Sequence, residues 1–545
     1  MKKLKYKQVG LILTGILLIL FIVKVIFFFT AKPKITVDYV AQFNRMSRPK
    51  NGDPSDNAAF LYQKAYDAFI GLPEELYSLK QWADFNNQEK ELLKNWLASN
   101  AAAFEYFEEA TSKPYCWIER VSSDKPSSMG GIRTPESEIH RKLLNALVWN
   151  ARLHAVEGQF KTAFEELLVC YRSGKHLCRP NRLLLDQYWG LRVKNIAVEH
   201  AFFIIENYNV GNNALLFLQN ALKEQSANDS YLPSMQTEKY SAYDILQRTF
   251  IDNGRGTGRW AWSSGWPVSL LLTDKSPLQE KYEEIKERLY CCLIGPTRND
   301  IMNQIERMLD LSEQVMSKTP WQIKNEKLDC FDEIEKIENS HVFFAISYAS
   351  FDPKGILYEY YQTRAQTDAL IAALAIMRYR NNIGQLPESL DKLITAGYLR
   401  SVPNDPYSNG PLIYKLTEED FKLYSVGEDF TDNGGGIQMD RMITPITGFD
   451  GIGMIPPVPS RDIIYWPTKE TYARRQDAIY NLFQQAMRTE SVDYDSLFLE
   501  LKKLGVIENI KDPDELKKWL EAENEPLNRQ PLIQKDAEND RPGFF

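Results

Sequence analysis

The sequence predicts a membrane-anchored, mainly α protein: a single N-terminal transmembrane helix, a helical-hairpin domain, a small α+β head and a helical tail. Three observations carry that expectation. Residues 9–31 form an apolar run with a single charge, residues 137–225 repeat apolar residues at helical spacing, and residues 384–467 alternate short apolar stretches with Gly, Pro, Asn and Asp turns. The chain has 545 residues, 44% hydrophobic and 25% charged, which is enough for two to four cores at roughly 100–200 residues per domain.

The N-terminal run reads VGLILTGILLILFIVKVIFFFTA after the basic end 1–8, and Lys24 is its only charge. A lysine at the centre of a bilayer costs about 2.5–3.5 kcal/mol, but Lys24 stands toward one end, where its amine reaches the interface. The competing expectation is a cleaved signal peptide, whose apolar region is shorter and ends in small residues. Phe29-Thr30-Ala31 places a bulky residue where a small one is needed, and the first cysteine, Cys116, is too distant to accept a lipid. The expected arrangement is therefore a signal anchor at 9–31, a cytosolic basic end, and a bulk that is periplasmic or otherwise extracytoplasmic. The bacterial membrane is then the first partner, engaged through the N-terminal helix.

Residues 35–130 read as a juxtamembrane linker and helical cap, with Phe60, Leu61, Tyr66, Phe69 and Ile70 suited to packing on a neighbour. Residues 137–345 form the helical-hairpin domain. Within it Ala151, Gly158, Phe160, Ala163 and Leu167 stand at spacings that resemble one tetratricopeptide-like hairpin, small residues letting two helices approach and Gly158 permitting the turn. No second copy follows at a clean period.

Composition and motifs exclude several function classes. A formal charge of −8 and a pI near 5.5 supply no general attraction for phosphate backbones, so no nucleic-acid partner is expected. The glycine-rich segment from Asp252 to Trp260 lacks the Lys-Ser or Lys-Thr of a phosphate loop and reads as a turn anchored by Trp260, Trp262 and Trp266, although Arg255 and Arg259 offer a small anion-binding surface. His140, His154, His176, His200 and His341 form no His-Glu-x-x-His pattern, and no Gly-x-Ser-x-Gly elbow is present. Cys170, His176 and Cys178 are a candidate zinc set that lacks a fourth ligand, and the six cysteines permit disulfides whose pairing spacing does not assign.

Residues 356–467 are the α+β head. AQTDALIAALAIMRYRNNIGQLPESLDKLI is followed by YLRSVPNDPYSNGPLIY and by FKLYSVGEDFTDNGGG, with RDIIYWP beyond. Ala372, Ala373, Ala375, Met377 and Tyr379 suit a packed helix that Gly384 and Pro387 end, while Leu412, Ile413 and Tyr414, then Phe421, Leu423 and Tyr424, suit two short strands around an acidic turn. This order resembles the soluble head of the major, G-type pseudopilin of type II secretion, over about a fifth of the chain. The resemblance implies a calcium site in the loop after the strands, where Asp429, Asp432 and Asp462, with Ser425 and backbone carbonyls, are the corresponding oxygen ligands. Calcium takes about 6–8 oxygens, so the loop itself must complete the set. One departure is plain: Gly15 stands where a pilin-like precursor carries Glu, and more than 300 residues separate the apolar run from the head. The whole arrangement resembles membrane-anchored proteins of planctomycete-like bacteria, which implies a location and no activity.

Residues 468–523 return to helical spacing, and 524–545, rich in charge, Asn and Pro, read as disordered. The function expected from these readings is a non-enzymatic, membrane-tethered extracytoplasmic binding or scaffold protein, with protein partners of an envelope assembly near a secretion or pilus-like apparatus. The alternative is an extracytoplasmic hydrolase with a dispersed active site.

Overall fold

The computed structural model describes residues 29–50, 52–76, 87–134, 136–179, 181–227, 231–264, 277–338, 352–417, 420–435 and 462–468, together with positions 16, 18, 19, 23, 26, 229, 495, 496, 498, 499, 512–514 and 517. Residue 341 and most of 468–545 lie outside the described residues, so His341, the helical tail and the disordered end expected there are not addressed by the structure.

The first helices are short and locally specified. Helix α1 (Tyr39–Ser47) starts where the Asp38 carboxylate accepts from the Ala41 amide at 2.9 Å, filling one of the amides left open at a helix start. Helices α2 (Ala59–Ala68), α3 (Asn87–Ser99) and α4 (Ala101–Ser112) follow, then α5 (Glu136–Val156) and α6 (Phe160–Leu177). Gly158 makes the turn between α5 and α6 with φ +77°, a backbone angle that costs glycine little. Helix α7 (Leu184–Asn207) runs back along α6, and α8 (Asn212–Ala227) closes that group. Arg120, 7% exposed at its side chain, ties the ends of α5 and α7 by ion pairs to Glu136 at 2.9 Å and Asp186 at 3.0 Å.

A second group holds α9 (Glu238–Thr249), α10 (Pro277–Leu293), α11 (Arg298–Met316), α12 (Pro320–Asn325) and α13 (Cys330–Glu338). Thr297 with Asp300, and Thr319 with Gln322, form reciprocal caps that fix where α11 and α12 begin. Helix α14 (Pro353–Ile383) then passes through both groups. Ile356, Leu357, Tyr360 and Tyr361 share one core with residues of α9 and α11, while Ala365 to Tyr379 pack with α7 and α8.

Helix α14 ends at Gly384, whose φ of +81° forms a left-handed cap, and α15 (Leu390–Thr395) leads into a three-stranded antiparallel sheet. Strands β1 (Ile413–Leu416), β2 (Phe421–Ser425) and β3 (Ile463–Trp466) lie in that order, with Ile413 opposite Tyr424, Leu416 opposite Phe421, and Ile463 opposite Ser425. Central β2 is buried along its whole length, and Trp466 stacks on Phe421 with ring centres 5.1 Å apart. The Asp-Pro loop is held against β2 by Asp405. Its buried carboxylate accepts from the Tyr407 amide at 2.9 Å, the Ser425 hydroxyl at 2.6 Å and the Val426 amide at 2.9 Å.

The membrane-anchored part of the expected fold class is corrected. Among the described residues no helix is long and apolar enough to cross a membrane. The transmembrane signal anchor at 9–31 is thus not carried by the structure, and most of that run lies outside the described residues. The bacterial membrane as a partner, the cytosolic N-terminus and the extracytoplasmic bulk all rested on that anchor and fall with it. The physical reason is that apolar side chains read alike in sequence whether lipid or protein covers them. Here the end of the run touches protein: Phe29 meets Trp262 edge to face at 5.3 Å, and the Ser263 hydroxyl donates to the Ala31 carbonyl at 2.6 Å. What stands is, among the described residues, a mainly helical chain with one small sheet.

Helices α6 and α7 approach closely because glycines face each other. A Cβ on Gly174 would sit 2.6 Å from the Gly190 carbonyl oxygen, and one on Gly190 would sit 2.6 Å from both the Gly174 carbonyl oxygen and the Cys178 sulfur. Gly190→Ala should therefore destabilise the fold by about 1–3 kcal/mol, the range for forcing extra volume into a packed contact. Thermal denaturation checks this against Gly211→Ala, whose Cβ meets nothing within 4 Å and should leave the melting temperature nearly unchanged.

Candidate functional site

A wide cleft follows from the ends of three helices. The last turns of α4, the C-terminal half of α6 and the end of α8 surround a cleft of ≈ 990 Å³. Helix α4 contributes Glu105, Glu108 and Glu109, whose three- and four-residue spacings put them on one side. Helix α6 and the turn after it contribute Arg172, Lys175 and Arg179, spaced in the same way. An acidic wall therefore faces a basic one.

The basic wall is only partly satisfied. Lys175 Nζ donates to the Gln225 carbonyl and to its side-chain oxygen, each at 3.1 Å, and Arg179 donates to the Pro114 carbonyl. The Arg172 Nε is buried without a hydrogen-bond partner, and burial presses both Arg172 and Lys175 below their ordinary pKa values. Under the floor, Lys194 pairs with Asp229 at 2.8 Å; burial opposes its charge, but its neighbours, Asp229 among them, outweigh that and raise its pKa.

The groups able to do chemistry in this cleft are held out of use. His176 Nε2 donates to the Lys113 carbonyl at 2.8 Å, so that nitrogen carries the proton, and Nδ1 accepts from the Tyr62 hydroxyl at 2.9 Å. Burial lowers its pKa to about 3. Burial likewise pushes the Cys178 thiol up to about 12. At neutral pH the histidine has no free nitrogen and the cysteine is no thiolate.

The residues singled out by sequence lie elsewhere. Asp429, Asp432 and Asp462 share the loop after β2, and each is engaged by donors of the protein. Asp462 accepts from the Asn433 amide at 3.1 Å and the Gly435 amide at 2.7 Å. Asp432 accepts from the Tyr424 hydroxyl and the Gly434 amide, both at 2.8 Å. Asp429 accepts from the Thr431 amide at 2.9 Å and the Asn433 side-chain amide at 2.8 Å. Ser425, the other expected oxygen, donates instead to Asp405 at 2.6 Å. Among the described residues no three His, Cys, Asp or Glu side chains gather so as to hold a metal ion, and this includes Cys170, His176 and Cys178. All six cysteines are free and buried, so none of the disulfides that the sequence permits is formed among them. Arg259, one half of the expected anion surface, donates to the Ile294 carbonyl at 2.7 Å.

Sequence reasoning missed both walls. Each is visible as like charges at helical spacing, but that they face each other depends on how α4 packs beside α6. Compared with known proteins, the chain matches no family model, no curated protein and no solved structure.

The buried histidines set a pH dependence. Burial lowers His140 to about 4 and His176 to about 3, whereas the unfolded chain protonates near 6.5. As pH falls through 6.5 the unfolded state takes up protons that the folded state refuses, so their contribution to stability is full above that pH and lost below it. Buried Glu238, raised to about 7, and Asp368, raised to about 6, act oppositely over the same range. His176→Gln removes one term alone. Urea denaturation at falling pH should show the variant losing less stability than the parent, by up to about 1.4 kcal/mol per pH unit below 6; equal slopes would refute the neutral buried histidine.

Proposed function

We propose that the chain is a non-enzymatic binding or scaffold protein that holds a polypeptide segment of mixed charge in the cleft between α4 and α6. The observation that carries this reading is the acidic wall facing a basic wall in which Arg172 Nε is buried and unpaired. A carboxylate presented to Arg172 and Lys175 forms the charge-assisted bonds that the protein leaves open, while basic side chains of the same segment meet Glu105, Glu108 and Glu109. The cleft's ≈ 990 Å³ gives room for a main chain with its side chains.

The hydrolase alternative has less support at this site. A hydrolase needs a nucleophile, a base with a free nitrogen or carboxylate, and oxyanion donors converging on one point. His176 and Cys178 are the nearest approach to that, and both are locked by burial and hydrogen bonds.

An assembly role near a secretion or pilus-like apparatus is part of the proposal. It is supported by the resemblance of residues 365–467 to the G-type pseudopilin head, and by the order of a long helix, the Gly384 turn, the Asp405-Pro406 loop and antiparallel strands.

A photo-crosslinking amino acid placed at Glu109 in the full chain, inside the cells that make it, tests the reading. We expect an adduct with a polypeptide whose linked segment carries both signs of charge. Arg172→Glu with Lys175→Glu should reduce adduct yield about tenfold or more, a change of ~1.4 kcal/mol. An adduct that survives the charge reversal undiminished would count against the cleft as the binding surface.

A further inference from the structure

A second cavity lies where the helical groups meet the sheet. It has a volume of ≈ 170 Å³ and is walled by α5, α7, α14 and β3. By liquid volume this is space for on the order of five water molecules.

Its walls carry polar groups that the protein leaves unmatched. Gln362 and Gln366 stand one turn apart on α14 and both face this space; neither carboxamide has a hydrogen-bond partner among the described residues, although Gln366 is only 8% exposed. His200 Nδ1 accepts from Arg152 Nε at 2.9 Å, and because a guanidinium only donates, the His200 proton sits on Nε2, which has no partner either. Burial, reinforced by Arg152, keeps that imidazole neutral. Tyr465, from β3, adds a hydroxyl that is buried and unpaired.

Other features of the cavity narrow the ligand. Arg152 and Glu199 bring opposite charges to its wall, so neither sign is favoured overall. Arg152 stacks over the Phe203 ring at 3.9 Å, and Phe202, Phe203 and Ile464 supply an apolar side. A purely apolar ligand would leave the amides, the imidazole and the Tyr465 hydroxyl unmatched. Water would match the polar groups but not the apolar side.

We propose that this cavity is a binding site for a single neutral polyhydroxylated molecule of monosaccharide size. Its hydroxyls both donate to and accept from Gln362 and Gln366 and accept from His200 Nε2, while its C–H face lies against the phenylalanines. The site does not depend on the charged cleft, which lies on other elements.

Titration calorimetry of the full chain with D-glucose, D-galactose and myo-inositol as separate probes tests the assignment. At least one should bind saturably and raise the melting temperature. Gln362→Leu and Gln366→Leu should each weaken that binding about tenfold or more, whereas Gln225→Leu, in the charged cleft, should leave it unchanged. Gln362 is partly exposed, so its variant keeps the test decisive even where Gln366→Leu impairs folding. Failure of all three probes to bind would leave a water-filled cavity only and overturn the proposal. Binding equally strong in both α14 variants would overturn it as well.

Discussion

The structure depends on α14 being buried from both sides by two different groups of helices. Ala365, Ala369, Ala372, Ala373 and Ala375 are at most 2% exposed, and their small side chains let neighbouring helices approach the backbone closely. The first turns of the same helix, from Ile356 to Tyr361, complete the other core. Helix α7 repeats the arrangement: Leu184 and Leu191 lie in one core, and Val193 to Ile205 in the other. Two helices crossing both cores make the helical groups and the head a single mechanical unit.

Polar contacts fix the register of that packing. The Gln219 side chain on α8 donates to the Ile371 carbonyl at 3.2 Å and the Tyr398 carbonyl at 3.0 Å, while Arg378 donates to its oxygen at 2.6 Å. A buried amide with three partners tolerates no sliding of α14 without leaving a polar group unmatched. The two candidate sites stand in different relation to this frame. The small cavity is built directly on α14 through Gln362 and Gln366, whereas no α14 residue is among those lining the charged cleft. A ligand in the cavity touches the element that both cores share, and a segment in the cleft does not.

Much of this frame is legible in the sequence. The alanine spacing from 369 to 375, the Gly384 stop and the apolar alternation through Phe421, Leu423 and Tyr424 each state a local rule that the fold obeys. The third strand, Ile463–Trp466, goes beyond the two strands that the sequence predicts. Longer-range facts are not legible. The apolar run 9–31 reads as a lipid anchor until Trp262, more than 200 residues away, is seen against its Phe29. At Asp429, Asp432 and Asp462 the sequence shows the carboxylates but not the amides that engage them. Glu108 and Arg172 become opposing walls only through the packing of α4 beside α6. Gln362, Gln366 and His200 gave no signal, since an unmatched amide is indistinguishable in sequence from a solvated one.

That α14 couples the head to both helical groups is best tested by native-state hydrogen exchange on the full chain. The amides of Ala373 in α14, Val198 in α7 and Leu423 in β2 should share one opening free energy, equal to that of global unfolding. Exchange of Leu423 at a markedly lower free energy than Ala373 and Val198 would mean that the head opens alone, and would contradict the account.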